Sequence, residues 1–170
     1  MPIQNVIGDY TAFLDRIFAN IQNAGIDVAS FEMDHACYRV SNLQQYEIKK
    51  AALLQFGDLL TEANVNGRPI ATFKLHQALK YKNRDLFLIE LPAPKKGKDV
   101  ADGLEHVEFV VGELIPDIMK KHPGLLWNTS GLEKTLNPEL ELKFNDGLAI
   151  KFHPESLSEV IRKELAMEPS

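Results

Sequence analysis

The chain has 170 residues, of which 45% are hydrophobic and 25% charged, and its formal net charge at pH 7 is −5. This length and composition fit one globular domain with a sizeable core. The acidic balance gives no electrostatic reason to bind nucleic acid or an anionic membrane. The single cysteine, Cys37, excludes an internal disulfide and suits a reducing compartment, so we expect a cytoplasmic location.

Residues 1–26 are predicted to form an N-terminal helix that packs outside the main body of the fold. Apolar side chains recur there at three- and four-residue spacing, which is typical of a helix with one buried face. Gly25 follows as a favourable helix end. The residues of this apolar stripe are Tyr10, Phe13, Leu14, Ile17, Phe18 and Ile21.

The first half of the chain, residues 33–92, has the pattern of a strand, a helix and three further strands. Ser41 and Gln44 have the spacing of a capping box, which predicts a helix from Ser41 to about Phe56. Asn66-Gly67 joins the next two predicted strands, because both residues tolerate the positive φ of a type I′ turn. Residues 33–92 are therefore interpreted as one βαβββ module.

The second half, residues 104–154, repeats this order. A linker at residues 93–103 separates it from the first half, since proline, glycine and lysines are concentrated there. One of its strands is expected between Leu125 and Asn137, although the pattern in that segment is weak. Residues 104–154 are interpreted as a second βαβββ module.

Residues 155–167 are predicted to form a C-terminal helix. Ser156 and Glu159 have the spacing of a capping box at its start. With the two modules and the N-terminal helix, this makes residues 1–170 a single expected domain.

The two halves carry histidines at matching positions. Asp34–Val40 aligns with Glu105–Val111, so that His35 corresponds to His106. Strand alternation places one apolar face of each predicted strand against the core and leaves the opposite face to polar side chains. Histidines and carboxylates on facing strands suggest a lined concavity that could hold a metal ion. The residues on these polar faces include His35, Cys37, Arg39, Lys74, His76, Glu90, His106, Glu108, Lys151 and His153.

Taken together, these features resemble the vicinal oxygen chelate superfamily and, within it, the YecM-like family. The resemblance implies an α+β fold in which two βαβββ modules form a cleft-bearing, half-open β-barrel, with added N-terminal and C-terminal helices. The segments that carry it are Asp34-His35, Leu59-Leu60, Asn66 to Ile70, Phe73 to His76, Ile89 to Pro92 with Pro94, Glu105 to Glu108, Leu136 to Pro138, Asp146-Gly147 and Ile150 to Pro154.

The resemblance also implies a metal site. The superfamily's four ligand positions fall on His35, Glu90, His106 and Lys151, but a protonated lysine cannot bind a cation. His35, Glu90 and His106 are thus the expected ligands of a divalent ion, which could be iron, manganese, cobalt, nickel or zinc. The implied activity is that of the metal-dependent isomerases, lyases and oxygenases, which act on small oxygenated substrates. No catalytic residue is assigned.

The lysine allows an alternative reading. Lys151 could pair with Glu90 or Glu108 and hold the site together without metal, or it could hold an anionic ligand. The second option would suit a non-catalytic protein that sequesters a small anion or a drug. His153, two residues further on the same face, could replace Lys151 as a ligand only if the strand end bends.

Further polar residues remain open between a role in the site and a place on the surface. Glu108 could orient a histidine or be a charge at the rim. Lys74 and His76 could bind a substrate carboxylate or transfer protons, or simply face water, and Arg39 slightly favours anionic ligands. The expected partner is a small, anionic molecule. With both halves in one chain a monomer is feasible, although a homodimer or a purely structural protein is also compatible with the sequence.

Overall fold

The computed structural model describes residues 1–168, which contain five α-helices, one 3₁₀ helix and seven β-strands. In chain order these are α1 (Gln4–Ile7), α2 (Tyr10–Asn23), β1 (Glu32–Arg39), α3 (Leu43–Leu53), β2 (Gly57–Val65), β3 (Arg68–Tyr81), β4 (Arg84–Pro92), β5 (Gly103–Val110), α4 (Ile115–Lys121), the 3₁₀ helix Ser130–Glu133, β6 (Leu140–Lys143), β7 (Ala149–His153) and α5 (Leu157–Met167). Helices and strands are mixed along the chain, which confirms the expected α+β class.

The described residues divide into two compact units, neither of which is one continuous stretch. The first unit comprises Met1–Asp15 and His35–Glu105, and the second comprises Arg16–Asp34 and the chain from His106 onward. No helix within residues 1–168 combines the length and the hydropathy that crossing a bilayer requires.

The first unit contains the strand order β2-β3-β4-β1. β3 pairs antiparallel with both β2 and β4, and β1 pairs parallel with β4. The β2–β3 hairpin turns at Asn66 and Gly67, whose φ angles are 54° and 77°, as their sequence predicts. Apolar side chains such as Phe73, Ile89 and Leu91 are fully buried here.

The second unit contains the strand order β5-β7-β6, with β5 parallel and β6 antiparallel to β7. Between residues 125 and 137 the expected strand is reduced to one isolated bridge, Asn128 with Glu141, and the 3₁₀ helix. The reason is a close approach at Gly131, where an added Cβ would lie 2.8 Å from the backbone oxygen of Glu139. The chain folds back on itself at this glycine and cannot run on as a strand.

Two helix starts differ from the sequence-based expectation. The N-terminal segment forms two helices instead of one, because Gly8 has a φ of 82° and Asp9 accepts a hydrogen bond from the N–H of Ala12. The N-cap of α3 lies one residue later than expected, since Asn42 and not Ser41 accepts a hydrogen bond from the N–H of Gln45.

The core of the second unit is aromatic. Phe109 and Phe152 lie 5.9 Å apart between ring centroids, and Phe18, Phe31 and Trp127 make edge contacts with this pair. Such contacts stabilise a core beyond the area that they bury. Phe109 and Phe152 occupy the strand faces that were predicted to be apolar, so their neighbours His106, Glu108, Lys151 and His153 point to the opposite face. In the first unit Phe87 is 42% exposed, whereas Ile89 and Leu91, which follow it at two-residue spacing on β4, are fully buried.

Candidate functional site

The first unit brings a histidine and a carboxylate together on neighbouring strands. Cys37 of β1 and Glu90 of β4 are register partners, and partners in a parallel pair point to the same face. His35 lies two residues before Cys37, and hence on that face too. A ring nitrogen of His35 lies within 4.8 Å of a carboxylate oxygen of Glu90, and the histidine is only 2% exposed.

The second unit also brings a histidine and a carboxylate together, but here both residues lie on the same strand, β5. Glu108 of β5 and Lys151 of β7 are register partners. His106, two residues before Glu108, shares its face, and His106 Nε2 lies 3.0 Å from Glu108 Oε1. Both side chains are buried. Glu108 is therefore a neighbour of the candidate metal ligand and not a charge at the rim.

Lys151 is held by two carboxylates of the second unit. Its Nζ lies 3.2 Å from Glu139 Oε1 and 3.9 Å from Glu108 Oε1. Burial raises the pKa of Glu139, but Lys151 and Lys134 outweigh this effect and hold that pKa below its usual range. The ion pair with Glu108, one of the alternatives open from the sequence, is present in the structure.

His153 lies beyond Lys151 on the same face and is 1% exposed. Its Nε2 is 3.2 Å from Glu108 Oε2 and 3.8 Å from Asp34 Oδ2. The two oxygens of Glu108 thus face two different histidines, because Oε1 lies next to His106. Glu108 therefore lies between the imidazoles of His106 and His153.

Asp34 was not identified from the sequence as a residue of this cluster. It is 6% exposed, and its Oδ2 accepts a hydrogen bond of 2.8 Å from the N–H of Leu157, the first residue of α5. The partial positive charge of a helix N-terminus stabilises such a carboxylate. The available signal was its parity with Ala36 and Tyr38 on the apolar face of β1, because a carboxylate at a core position requires a buried partner.

The other predicted site residues of the first unit lie at the surface or are paired elsewhere. His76 has a side chain that is 56% exposed, and its Nε2 lies 3.2 Å from Asp58. Lys74 is exposed. The guanidinium of Arg39 lies 2.7 Å from Glu105 Oε1. Neither these two contacts nor the exposure of Lys74 indicates a binding role.

The donor chemistry of the buried residues fits a divalent cation. Imidazole nitrogens and carboxylate oxygens together are typical ligands of iron, manganese, cobalt, nickel and zinc. His35 with Glu90 in the first unit, and His106 with Glu108 in the second, offer such donors close to each other. Lys151, by contrast, offers only N–H donors while it is ion-paired.

Comparison with known proteins identifies relatives over nearly the whole chain. Residues 2–147 match the model of a family described as YecM protein. Protein YecM of Escherichia coli (strain K12) is 29% identical over 178 residues, which cover 95% of this chain and 94% of that protein. An uncharacterized protein of Haemophilus influenzae is 30% identical over 156 residues, with 81% and 82% covered.

Solved structures agree with this assignment. The structural-genomics structure of Protein EC4020 has a TM-score of 0.80 at 28% identity and covers 95% of this chain and 92% of its own. A methylmalonyl-CoA epimerase variant of Streptomyces coelicolor, in complex with 2-nitronate-propionyl-CoA, has a TM-score of 0.51 at 14% identity, with 72% and 95% covered. The latter similarity concerns the fold alone. The chain belongs to the YecM family, and its fold is that of the vicinal oxygen chelate superfamily.

Proposed function

We propose that this protein binds a divalent metal ion through His35, Glu90 and His106 and acts with it on a small oxygenated molecule. The observation that carries the proposal is the pairing of a buried histidine with a carboxylate in each unit. Two histidines and one carboxylate form the ligand set of open non-haem iron sites and related centres. Such a set leaves coordination positions for a substrate.

A metal ion bound there would supply Lewis acidity toward a carbonyl or enolate oxygen, which is the chemistry of metal-dependent isomerases, lyases and oxygenases. The residues of the chain would hold the ion and exclude water, since His35, His106 and Glu108 are all buried. Lys151 lies within ion-pair distance of Glu139 and Glu108 and is therefore engaged with these two carboxylates.

A small-molecule ligand is part of the proposal. The epimerase of the same fold is bound to 2-nitronate-propionyl-CoA, a small molecule, and we propose that this chain also takes one. The alternative function, sequestration of an anion without metal, depended on Lys151 as the anion-binding group. The two carboxylates beside Lys151 weaken that alternative, because they already neutralise its charge. A cytoplasmic location, as expected for a chain with one cysteine, remains part of the proposal.

The test is metal analysis of the full chain purified without a nickel column, followed by thermal unfolding with added iron, manganese, cobalt, nickel or zinc. We expect a bound divalent ion and a rise in Tm with at least one metal, since a ligand that binds only the folded state stabilises it. His35→Ala and His106→Ala should each remove that rise. His76→Ala, a change at an exposed histidine, is the matched control and should keep it. No bound ion and no rise in Tm with any of the five metals would contradict the proposal.

A further inference from the structure

We propose that Glu108 is itself a metal ligand and replaces the carboxylate that Lys151 cannot provide. This inference rests on the proposed function, since it assigns a further ligand to the same ion. It differs from the ligand set that the superfamily pattern implies, in which the second carboxylate would stand at the position of Lys151.

The register of the strands is the first support. In the first unit the pair of register partners is Cys37 and Glu90, with the carboxylate on the later strand. In the second unit the equivalent pair is Glu108 and Lys151, with the carboxylate on the earlier strand. Neighbouring strands lie only about 4.8 Å apart and partners share a face. A carboxylate can therefore move across the pair and still reach the same space.

The distance to His106 is the second support. Two ligand atoms that each lie about 2.1 Å from one ion, at right angles, are about 3.0 Å from each other. His106 Nε2 and Glu108 Oε1 are 3.0 Å apart. The separation is thus that of a hydrogen bond in the absence of metal and that of adjacent ligands in its presence, so little movement is required on binding.

The third support is the set of contacts that hold Glu108 in place. Its Oε2 lies 3.2 Å from His153 Nε2, and His153 lies 3.8 Å from Asp34, which is hydrogen-bonded to the start of α5. Ligating carboxylates are usually oriented by outer partners of this kind. His153 and Asp34 are accordingly positioning residues, and Glu108 is the group that contacts the ion.

The charges of the cluster are the fourth support. Lys151 lies closer to Glu139, at 3.2 Å, than to Glu108, at 3.9 Å. The electrostatic interaction of the lysine with Glu139 is therefore stronger than its interaction with Glu108. Glu108 is 6% exposed, and burial of an ionised carboxylate is costly unless a cation compensates it. A divalent ion next to Glu108 would provide that compensation.

The experiment is a Co²⁺ titration of the full chain, monitored by visible absorption. Glu108→Gln should weaken Co²⁺ binding by more than about 100-fold, which exceeds the usual effect of losing an outer-shell partner. Glu139→Gln is the matched control, because it removes the other carboxylate beside Lys151, and it should stay within about tenfold of the wild type.

Exchanging the two register partners gives a rescue test. Glu108→Lys should abolish Co²⁺ binding, and the double variant Glu108→Lys, Lys151→Glu should restore it. In the double variant the carboxylate stands on β7, the later strand of the pair, just as Glu90 stands on β4 in the first unit. Circular dichroism establishes that each variant is folded. If Glu108→Lys does not fold, Glu108→Cys in a Cys37→Ala background serves instead. It should give a thiolate-to-cobalt charge-transfer band that Glu139→Cys in the same background lacks.

The outcomes separate the inference from the proposed function. A wild-type chain that binds Co²⁺, together with a Glu108→Gln variant of unchanged affinity and spectrum, would overturn the role of Glu108 and leave the proposed function standing. Absence of the charge-transfer band in Glu108→Cys would do the same. A wild-type chain that binds no Co²⁺ and no other divalent ion would overturn both.

Discussion

The two units of this protein both place a carboxylate beside a buried histidine, but they use different residues around it. Each places a buried histidine two residues before a register pair and sets a carboxylate beside it. In the first unit the pair is Cys37 with Glu90, a small thiol and an acid. In the second it is Glu108 with Lys151, an acid and a base. The comparison shows that both units pair a histidine with a carboxylate, which stands on the later strand in the first unit and on the earlier strand in the second.

This difference also changes what surrounds the carboxylate. Lys151 brings a positive charge into the second unit, and Glu139 balances it. Glu139 in turn depends on Gly131, whose lack of a Cβ lets the chain fold back within hydrogen-bonding distance, with the N–H of Glu139 donating to the oxygen of Gly131 at 3.0 Å. In the second unit the close approach at Gly131 thus helps to position Glu139, the carboxylate that pairs with the lysine.

The histidines should show the largest effects, and these should be similar in the two units. We expect His35→Ala and His106→Ala each to lower Co²⁺ affinity by more than about 100-fold, or about 3 kcal/mol. The measurement is a Co²⁺ titration with His122→Ala, a change at the C-cap of α4, as the control. If only one of the two alanine variants lost Co²⁺ affinity, the two histidines would not have corresponding roles in the two units.

The second-largest effect is expected for Lys151→Met, which should destabilise the second unit. The change leaves Glu108 and Glu139 without the lysine, and removing one partner of a largely buried ion pair leaves a costly charge behind. We expect a loss of about 2 kcal/mol in urea unfolding at pH 7 and tighter Co²⁺ binding, because the competing cation is gone. Lys80→Met, at an exposed ion pair, is the control and should change little. Unchanged stability in Lys151→Met would mean that the lysine is not part of the charge balance.

Two glycines allow a matched test of close packing in each unit. A Cβ on Gly57 would lie 2.4 Å from the backbone oxygen of Lys74, and one on Gly131 would lie 2.4 Å from the Cγ of Glu139 and 2.8 Å from its backbone oxygen. Each alanine substitution should cost about 1–3 kcal/mol in urea unfolding, with Gly57→Ala the more severe because all its nearest contacts are backbone. Only Gly131→Ala should disturb Glu139 and its ion pair with Lys151. Gly124→Ala, where a Cβ meets nothing within 4 Å, is the control.

The pH dependence of stability should show the smallest effect. Because the pKa of Glu139 is lower in the folded state than its ordinary value of 4.5, its ionised form stabilises the fold. That contribution is fully present above about pH 4.5 and disappears as the pH falls through the folded-state pKa. We expect the free energy of unfolding of the wild type, measured by urea unfolding, to exceed that of Glu139→Gln by less than about 1 kcal/mol at pH 6. This difference in free energy should become smaller below pH 4.5. A difference that grows toward low pH would have the wrong sign for this account.

Part of the fold could be predicted because it depends on local chemistry. Asn66-Gly67 adopts the predicted turn, and the side chain of Ser156 caps α5 by accepting from the N–H of Glu159. The matching of His35 with His106 followed from the alignment of Asp34–Val40 with Glu105–Val111. The face on which each histidine lies followed from alternation along the strands, which depends only on the period of two residues. The YecM resemblance was confirmed by the family match over residues 2–147.

Other features could not be predicted because they depend on contacts between distant parts of the chain. Asp34 meets Leu157 across more than a hundred residues, and no local pattern of either segment indicates that contact. The place of Glu139 depends on the approach of Gly131, in a segment where a strand was expected. The joint use of His35, Glu90 and His106 as ligands stays a prediction that metal binding must test.

The most direct test of the central claim is the stoichiometry of Co²⁺ binding to the wild-type chain, compared with Glu90→Gln and Glu108→Gln. If each unit contributes one histidine and one carboxylate to the same ion, the wild type binds one Co²⁺ per chain and both variants lose it. Two independent equivalents in the wild type, or a loss in Glu90→Gln alone, would contradict the account.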